Sequence, residues 1–136
     1  MKLNRSYTFL FTIICLIGLL IPVASAAESA SDQIMSWGID VTFGDGTIDV
    51  EFGITGNGTM NKLGCEYIYV YKKNGSAWDD YTYRTEYNTG MSKYNSAFHA
   101  NLIEIPCDDS AEYKVVVTVF AEDDEGRDSR TDVFYL

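Results

Sequence analysis

Alternation of apolar and polar positions dominates this chain, and it is clearest in Glu112-Tyr-Lys-Val-Val-Val-Thr-Val-Phe-Ala121. Tyr113, Val115, Val117 and Val119 share one parity, and Lys114, Val116, Thr118 and Phe120 share the other. β-Branched residues crowd the run, so it predicts a central strand with one face in a core and the other half covered. The same period of two recurs upstream. Trp37, Ile39, Val41 and Phe43 alternate with small or polar residues over Ile34 to Phe43, and Gly44-Asp45-Gly46 marks a tight turn. Ile48, Val50, Phe52 and Ile54 then line one side of a second strand from Thr47 to Thr55, with Asp49 and Glu51 on the other. The two runs predict a hairpin.

Gly56 to Thr59 reads as a break, and Met60 to Gly64 as a connecting loop. A third strand is expected over Cys65 to Lys73, where Ile68 and Val70 oppose Tyr67, Tyr69 and Tyr71. Asn74-Gly75 turns the chain into an aromatic fourth strand over Trp78 to Tyr87, and Thr89 to Asn95 reads as a loop. A fifth strand follows over Ser96 to Ile105. Its apolar parity switches from Phe98, Ala100 and Leu102 to Ile103 and Ile105, which predicts a bulge near Leu102. Pro106 to Ser110 forms a corner before the central run, and the acidic turn Glu122 to Gly126 leads to a last strand over Ser129 to Leu136. About seven short strands without helical periodicity predict an all-β sandwich.

The first 26 residues read differently. Lys2 and Arg5 precede an apolar run from Phe9 to Leu20, and Ala24-Ser25-Ala26 has the small-x-small form of a signal-peptidase site. The run is shorter than the roughly 20 residues of a spanning helix, so a cleaved signal peptide over 1–26 is expected. Cys15 follows Ile13 and Ile14, with no small residue before it, so lipid attachment there is not expected. The expected organisation is therefore a flexible lead at 27–33 and one β domain at 34–136. Removing the leader leaves 110 residues, a single-domain length. The formal charge of −10 becomes −12 when Lys2 and Arg5 leave. That charge argues against nucleic acid or anionic membrane as partners and suits solubility in an extracellular medium.

Two pieces of the pattern carry a resemblance. Tyr113 to Ala121, a turn containing Gly126 and a final strand resemble the sixth and seventh strands of fibronectin type III and related immunoglobulin-like domains. The resemblance implies that Tyr113 acts as a tyrosine corner, its hydroxyl bonding to nearby backbone. Over nearly the whole mature chain, Ser36-Trp37-Gly38, Thr55 to Met60 with Leu63-Gly64, Lys73-Asn74-Gly75 with Trp78, Gly90-Met91 with His99, and Tyr113 are similar to small exported proteins of Gram-positive bacteria. That family implies a compartment and a fold and supplies no site. Export permits a disulfide between Cys65 and Cys107. The fibronectin-like order would instead put them at opposite ends of the domain, so the bridge stays open.

Chemistry is sparse. His99 is the only histidine, which excludes multi-histidine metal sites and leaves a single candidate base; its simpler role is a strand residue with a local hydrogen bond. No nucleophile–base grouping is visible, so a small hydrolase is the remotest alternative, and no cofactor is expected. The run Glu122-Asp-Asp-Glu-Gly126 offers oxygens for Ca²⁺ but lacks EF-hand spacing, and its plainer role is a solvated hairpin turn. Asn57-Gly-Thr59 and Asn74-Gly-Ser76 match the glycosylation pattern but read as turns.

The tyrosines are more informative. With Ile68 and Val70 in the core, Tyr67, Tyr69 and Tyr71 face outward beside Trp78, Tyr81 and Tyr83 of the neighbouring strand. Such rings can anchor a protein partner or stack on sugars, or they can simply stabilise the sheet through cross-strand pairs. The expectation is a secreted, non-catalytic module that binds an extracellular protein, or weakly self-associates, through this tyrosine-rich face. The alternative is a carbohydrate-binding module, with or without calcium.

Overall fold

The computed structural model describes residues 33–136, and the leader expected over 1–26 lies outside the described residues. Of the lead expected over 27–33, only Gln33 is described. It is buried, its backbone N–H donating to Asp128 Oδ2 and its side-chain amide to Asp123 Oδ1.

Six strands form one antiparallel sheet: β1 (Ile34–Gly44), β2 (Thr47–Asn74), β3 (Ala77–Thr85), β4 (Ser92–Pro106), β5 (Tyr113–Glu122) and β6 (Arg127–Tyr135). The organising strand is β2. Its first half pairs with β1 on one side and β4 on the other, from Thr47 to Thr55. Its second half pairs with β3 and β5, and β6 extends the sheet beyond β5. The sheet curls, so Ile48, Val50, Phe52 and Ile54 from the first half share one core cluster with Ile68, Val70, Val115, Val117 and Val119 from the second. Phe43 of β1 meets Tyr113 of β5 edge-on across that core, 5.9 Å between ring centroids.

The expected second and third strands are thus one 28-residue strand. Gly56 to Thr59 is absorbed as a bulge: pairing with β4 steps from Thr55–Phe98 to Met60–Ser96 and continues. The predicted break fails because pairing with β4 resumes at Met60, and Lys62 to Gly64 pair with β4 and β5 at once. Gly64 makes the bend feasible. Its φ is +150°, and a Cβ there would collide with the Met91 carbonyl, which accepts the Cys65 N–H at 2.7 Å.

The fifth expected strand is β4, and it starts earlier, at Ser92. No bulge occurs at Leu102; the register runs unbroken from Phe98 to Pro106 and slips only between Ser96 and Phe98. The apparent parity switch arises because the inward side holds two polar residues. His99 and Asn101 face in with Ile103 and Ile105, while Phe98 (55% exposed) and Leu102 (49%) face solvent. Both polar side chains are satisfied at one acceptor: His99 Nε2 lies 2.8 Å and Asn101 Nδ2 3.0 Å from the Gly90 carbonyl oxygen.

The run that predicted a central strand is β5, between β2 and β6, with every residue from Val117 to Ala121 buried. Tyr113 opens it fully buried, and its hydroxyl accepts the Asp108 backbone N–H at 2.9 Å. Cys65 and Cys107 are both free thiols. Cys65 faces Val119 in the bend of β2, whereas the Cys107 N–H bonds Gly46 at the β1–β2 turn.

Candidate binding face

Alternation along the second half of β2 sets the orientation of the tyrosines. Ile68 and Val70 are at most 1% exposed, so Tyr67, Tyr69 and Tyr71 point away from the core. Tyr67 and Tyr69 lie with ring centroids 4.9 Å apart, and Tyr69 meets its cross-strand partner Tyr83 at 6.1 Å. Trp78 folds over the same face beside Tyr135 of β6, 5.8 Å between rings. Lys114 sits between them, its ammonium 4.3 Å from the Tyr71 ring centroid and 5.7 Å from that of Trp78. On this face the most exposed apolar groups are Tyr135 (69%), Tyr83 (61%) and Val133 (49%).

Five of the six aromatic residues expected on this face are brought together there; Tyr81 is not. The β2–β3 register slips between Val70 and Tyr71, where Thr82 and Asp80 are the partners, leaving Tyr81 as the extra residue. Its ring packs edge-on against Tyr113 at 5.3 Å, and its hydroxyl donates to the Pro106 carbonyl at 3.0 Å. Tyr81 therefore supports the corner, and its exposed part reaches the face only as one wall of the groove beside it. The bulge opens a groove of about 740 Å³ lined by Tyr69, Tyr71, Asp80 and Tyr83 among others.

The strand pattern alone missed Lys114, Val133 and Tyr135. Lys114 opposes both Tyr71 and Tyr135, and Val116 opposes both Tyr69 and Val133. Parity within each run was readable; the register that sets β5 and β6 beside β2 was not.

An ionic network closes one end of this face. Lys62 is only 5% exposed and pairs with Glu86. Arg127 bonds Glu86 at 3.0 Å, Glu66 at 3.1 Å and Glu122 at 2.7 Å, while its guanidinium lies 4.1 Å from the Phe120 ring centroid. Tyr87 and Tyr94 flank the Lys62 ammonium at 4.5 and 5.0 Å. Burial opposes the Lys62 charge, but hydrogen bonds to Glu86 and Tyr94 outweigh it and hold the ammonium above its ordinary pKa. Burial likewise opposes the Glu86 charge, and Arg127 and Lys62 nonetheless hold that carboxyl below the ordinary range. The network pins the β3–β4 connection onto β2 and β6, so its role is to shape the end of the face.

His99 is occupied by the Gly90 carbonyl and packs edge-on to Phe52, as a scaffold residue. In the acidic turn, Asp123 Oδ1 accepts the backbone N–H groups of Glu125 and Gly126 as well as the Gln33 amide. Glu122 goes to Arg127, and Asp124 accepts from Asn61 at 2.7 Å. The carboxylates of Glu122, Asp123 and Asp124 are thus directed to the protein's own donors. Among the described residues no group of three or more His, Cys, Asp or Glu side chains converges as a metal centre would require. Burial pushes the Cys65 thiol up to about 12, so it stays protonated beside the Tyr67 and Thr118 carbonyls. No protein-family model, curated protein or solved structure matches this chain.

Proposed function

We propose that this chain is a secreted, non-catalytic binding module that engages an extracellular protein through the outer face of β2, β3, β5 and β6. One observation carries the reading. Tyr69, Tyr83, Val133 and Tyr135 form an outward apolar surface with Tyr67, Tyr71, Trp78 and Lys114 at its margins, and contiguous apolar groups left to water on a protein surface mark interaction sites. Amphipathic rings of this kind, with an interleaved cation, are what protein interfaces use as anchors.

The fold part of the proposal is an immunoglobulin/fibronectin type III-like sandwich, exported by a bacterium of the Gram-positive kind after loss of residues 1–26. Two features support it. If the two halves of β2 count as separate strands, the first, second and fifth share one side and the third, fourth, sixth and seventh share the other, a three-plus-four division in which the fourth strand joins the third as in fibronectin-like domains rather than the first group as in constant-type immunoglobulin domains. The hydroxyl of Tyr113, bonded to backbone five residues upstream, supports the tyrosine-corner assignment.

Carbohydrate is the second reading, favoured by the exposed Tyr83 in the groove at the β3 bulge and by the exposed Tyr135 on the same face. Both readings are tested with one pair of proteins, the wild type and Tyr83→Ser/Tyr135→Ser, applied to an array of glycans and to fractionated extracellular protein. A protein ligand held by the wild type and lost by the variant supports the first reading. A glycan with that behaviour supports the second. Ligands retained equally by both proteins overturn the assignment of the face.

A further inference from the structure

The outer edge of β1 has no partner strand among the described residues. A free edge is a template for another strand, and proteins usually guard one with charge, bulges or proline. The other edges are guarded. β6 carries Arg127, Asp128, Arg130 and Asp132; β3 carries Asp79 and Asp80 followed by its bulge; β4 slips in register at Ser96–Phe98 and ends in Pro106. By contrast β1 slips in register only at its start, between Ile34 and Ser36, runs unbroken against β2 from Ser36 to Gly44, and carries Asp40 as its only charge. Its core-facing side is also incompletely covered. Trp37 is 39% exposed although its register partner Ile54 is 1% exposed, and Ile39, Val41 and Phe43 are only partly buried. A strand added at this edge would extend the inner face over those side chains.

We propose that β1 pairs antiparallel with β1 of a second copy of this chain, about a two-fold axis at Ile39. Charge selects the register. An axis at Asp40 gives the longest overlap of the unbroken run Ser36 to Gly44 but sets two carboxylates directly opposite each other, which destabilises a strand pair. Moving the axis to Ile39 places each Asp40 opposite Gly38 of the other copy. Trp37 then meets Val41 and Ile39 meets Ile39 on the inner side, while Ser36 meets Thr42 on the outer side. The contact is isologous and therefore closes at two copies. Because the sheet continues across the contact, the axis runs through the sheet and both tyrosine faces turn to the same side. The dimer is thus bivalent, and linking two faces raises avidity for a repetitive ligand by about 10²-fold or more.

Sedimentation equilibrium of the purified chain over a broad concentration range tests this. Ser36 and Thr42 are exposed, so charge can be added there without touching the core. The wild type is expected to dimerise, and Ser36→Lys/Thr42→Lys and Ser36→Glu/Thr42→Glu are each expected to remain monomeric with unchanged melting. An equimolar mixture of the two variants should dimerise again, because lysine then faces glutamate at both outer pairs. Tyr83→Ser/Tyr135→Ser should dimerise like the wild type, whatever becomes of its ligand binding. A monomeric wild type, dimerisation of either charge variant alone, failure of the mixture, or loss of dimer in the tyrosine variant would each overturn the proposal.

Discussion

The hydroxyl of Tyr113 accepts the backbone N–H of Asp108 at 2.9 Å, tying the start of the most buried strand to the corner that precedes it. The corner is tied again from outside, since Tyr81 donates to Pro106 and packs against the Tyr113 ring. Tyr113→Phe keeps the ring and strands the Asp108 donor in a part-buried site. A loss of about 1–2 kcal/mol is expected, read as a lower urea midpoint at unchanged slope. Tyr81→Phe should cost less, because the Pro106 carbonyl lies exposed to water.

The Lys62–Glu86–Arg127 network predicts a pH window. Glu86 titrates lower in the folded protein than in the unfolded chain, so its contribution is complete above the ordinary glutamate value of about 4.3 and is lost as pH falls through the folded value. Lys62 titrates higher when folded, so its contribution is complete below about 10.4 and is lost as pH rises through the folded value. Stability should therefore decline on both sides of a neutral plateau. Glu86→Ala leaves Lys62 buried without its carboxylate and should cost about 3 kcal/mol at pH 7, with a flatter acid limb in urea titrations at a series of pH values.

Gly64→Ala should be among the most damaging single-methyl changes in the chain. The added carbon meets the Met91 backbone, which cannot rotate away, and the residue sits at positive φ. A loss above about 2 kcal/mol is expected, read as a fall in melting temperature. Gly53→Ala, which meets only the Ala100 methyl at 3.8 Å, is the control and should change little.

How far the pattern reached is visible at these two glycines. Alternation marked part of each of the six strands and placed Tyr67, Tyr69 and Tyr71 outward, because the period of two is local. The merger of two expected strands into β2 was not legible, since a bulge at Gly56 to Thr59 and a break have the same composition. The bulge expected near Leu102 does not occur because the inward positions of β4 are taken by His99 and Asn101, whose shared acceptor at Gly90 lies in another segment. Tyr81 carried no local mark distinguishing it from Tyr83. The slip in register that separates them belongs to the pairing, not to either strand.

Cys65 and Cys107 should remain unjoined. Thiol labelling of the native protein, followed by peptide mapping, should modify the partly exposed Cys107 and spare the buried Cys65 until denaturant is added. A Cys65–Cys107 disulfide peptide would contradict the register that separates them.

The acidic turn should be indifferent to calcium. Asp123 is engaged by Glu125, Gly126 and Gln33, and Glu122 by Arg127, so millimolar Ca²⁺ should leave the melting temperature unchanged. A rise of several degrees would place a cation where these donors lie.

The most direct measurement of the binding reading compares affinities for whichever extracellular ligand the wild type retains. Tyr83→Ser/Tyr135→Ser should weaken that ligand by about 30-fold or more, as loss of two anchor rings at roughly 1 kcal/mol or more each requires. Phe98→Ser/Leu102→Ser, which removes the exposed apolar groups of β4, should leave its affinity unchanged. Undiminished affinity in the tyrosine variant, or an equal loss in the β4 variant, would contradict the assignment of function to the tyrosine face.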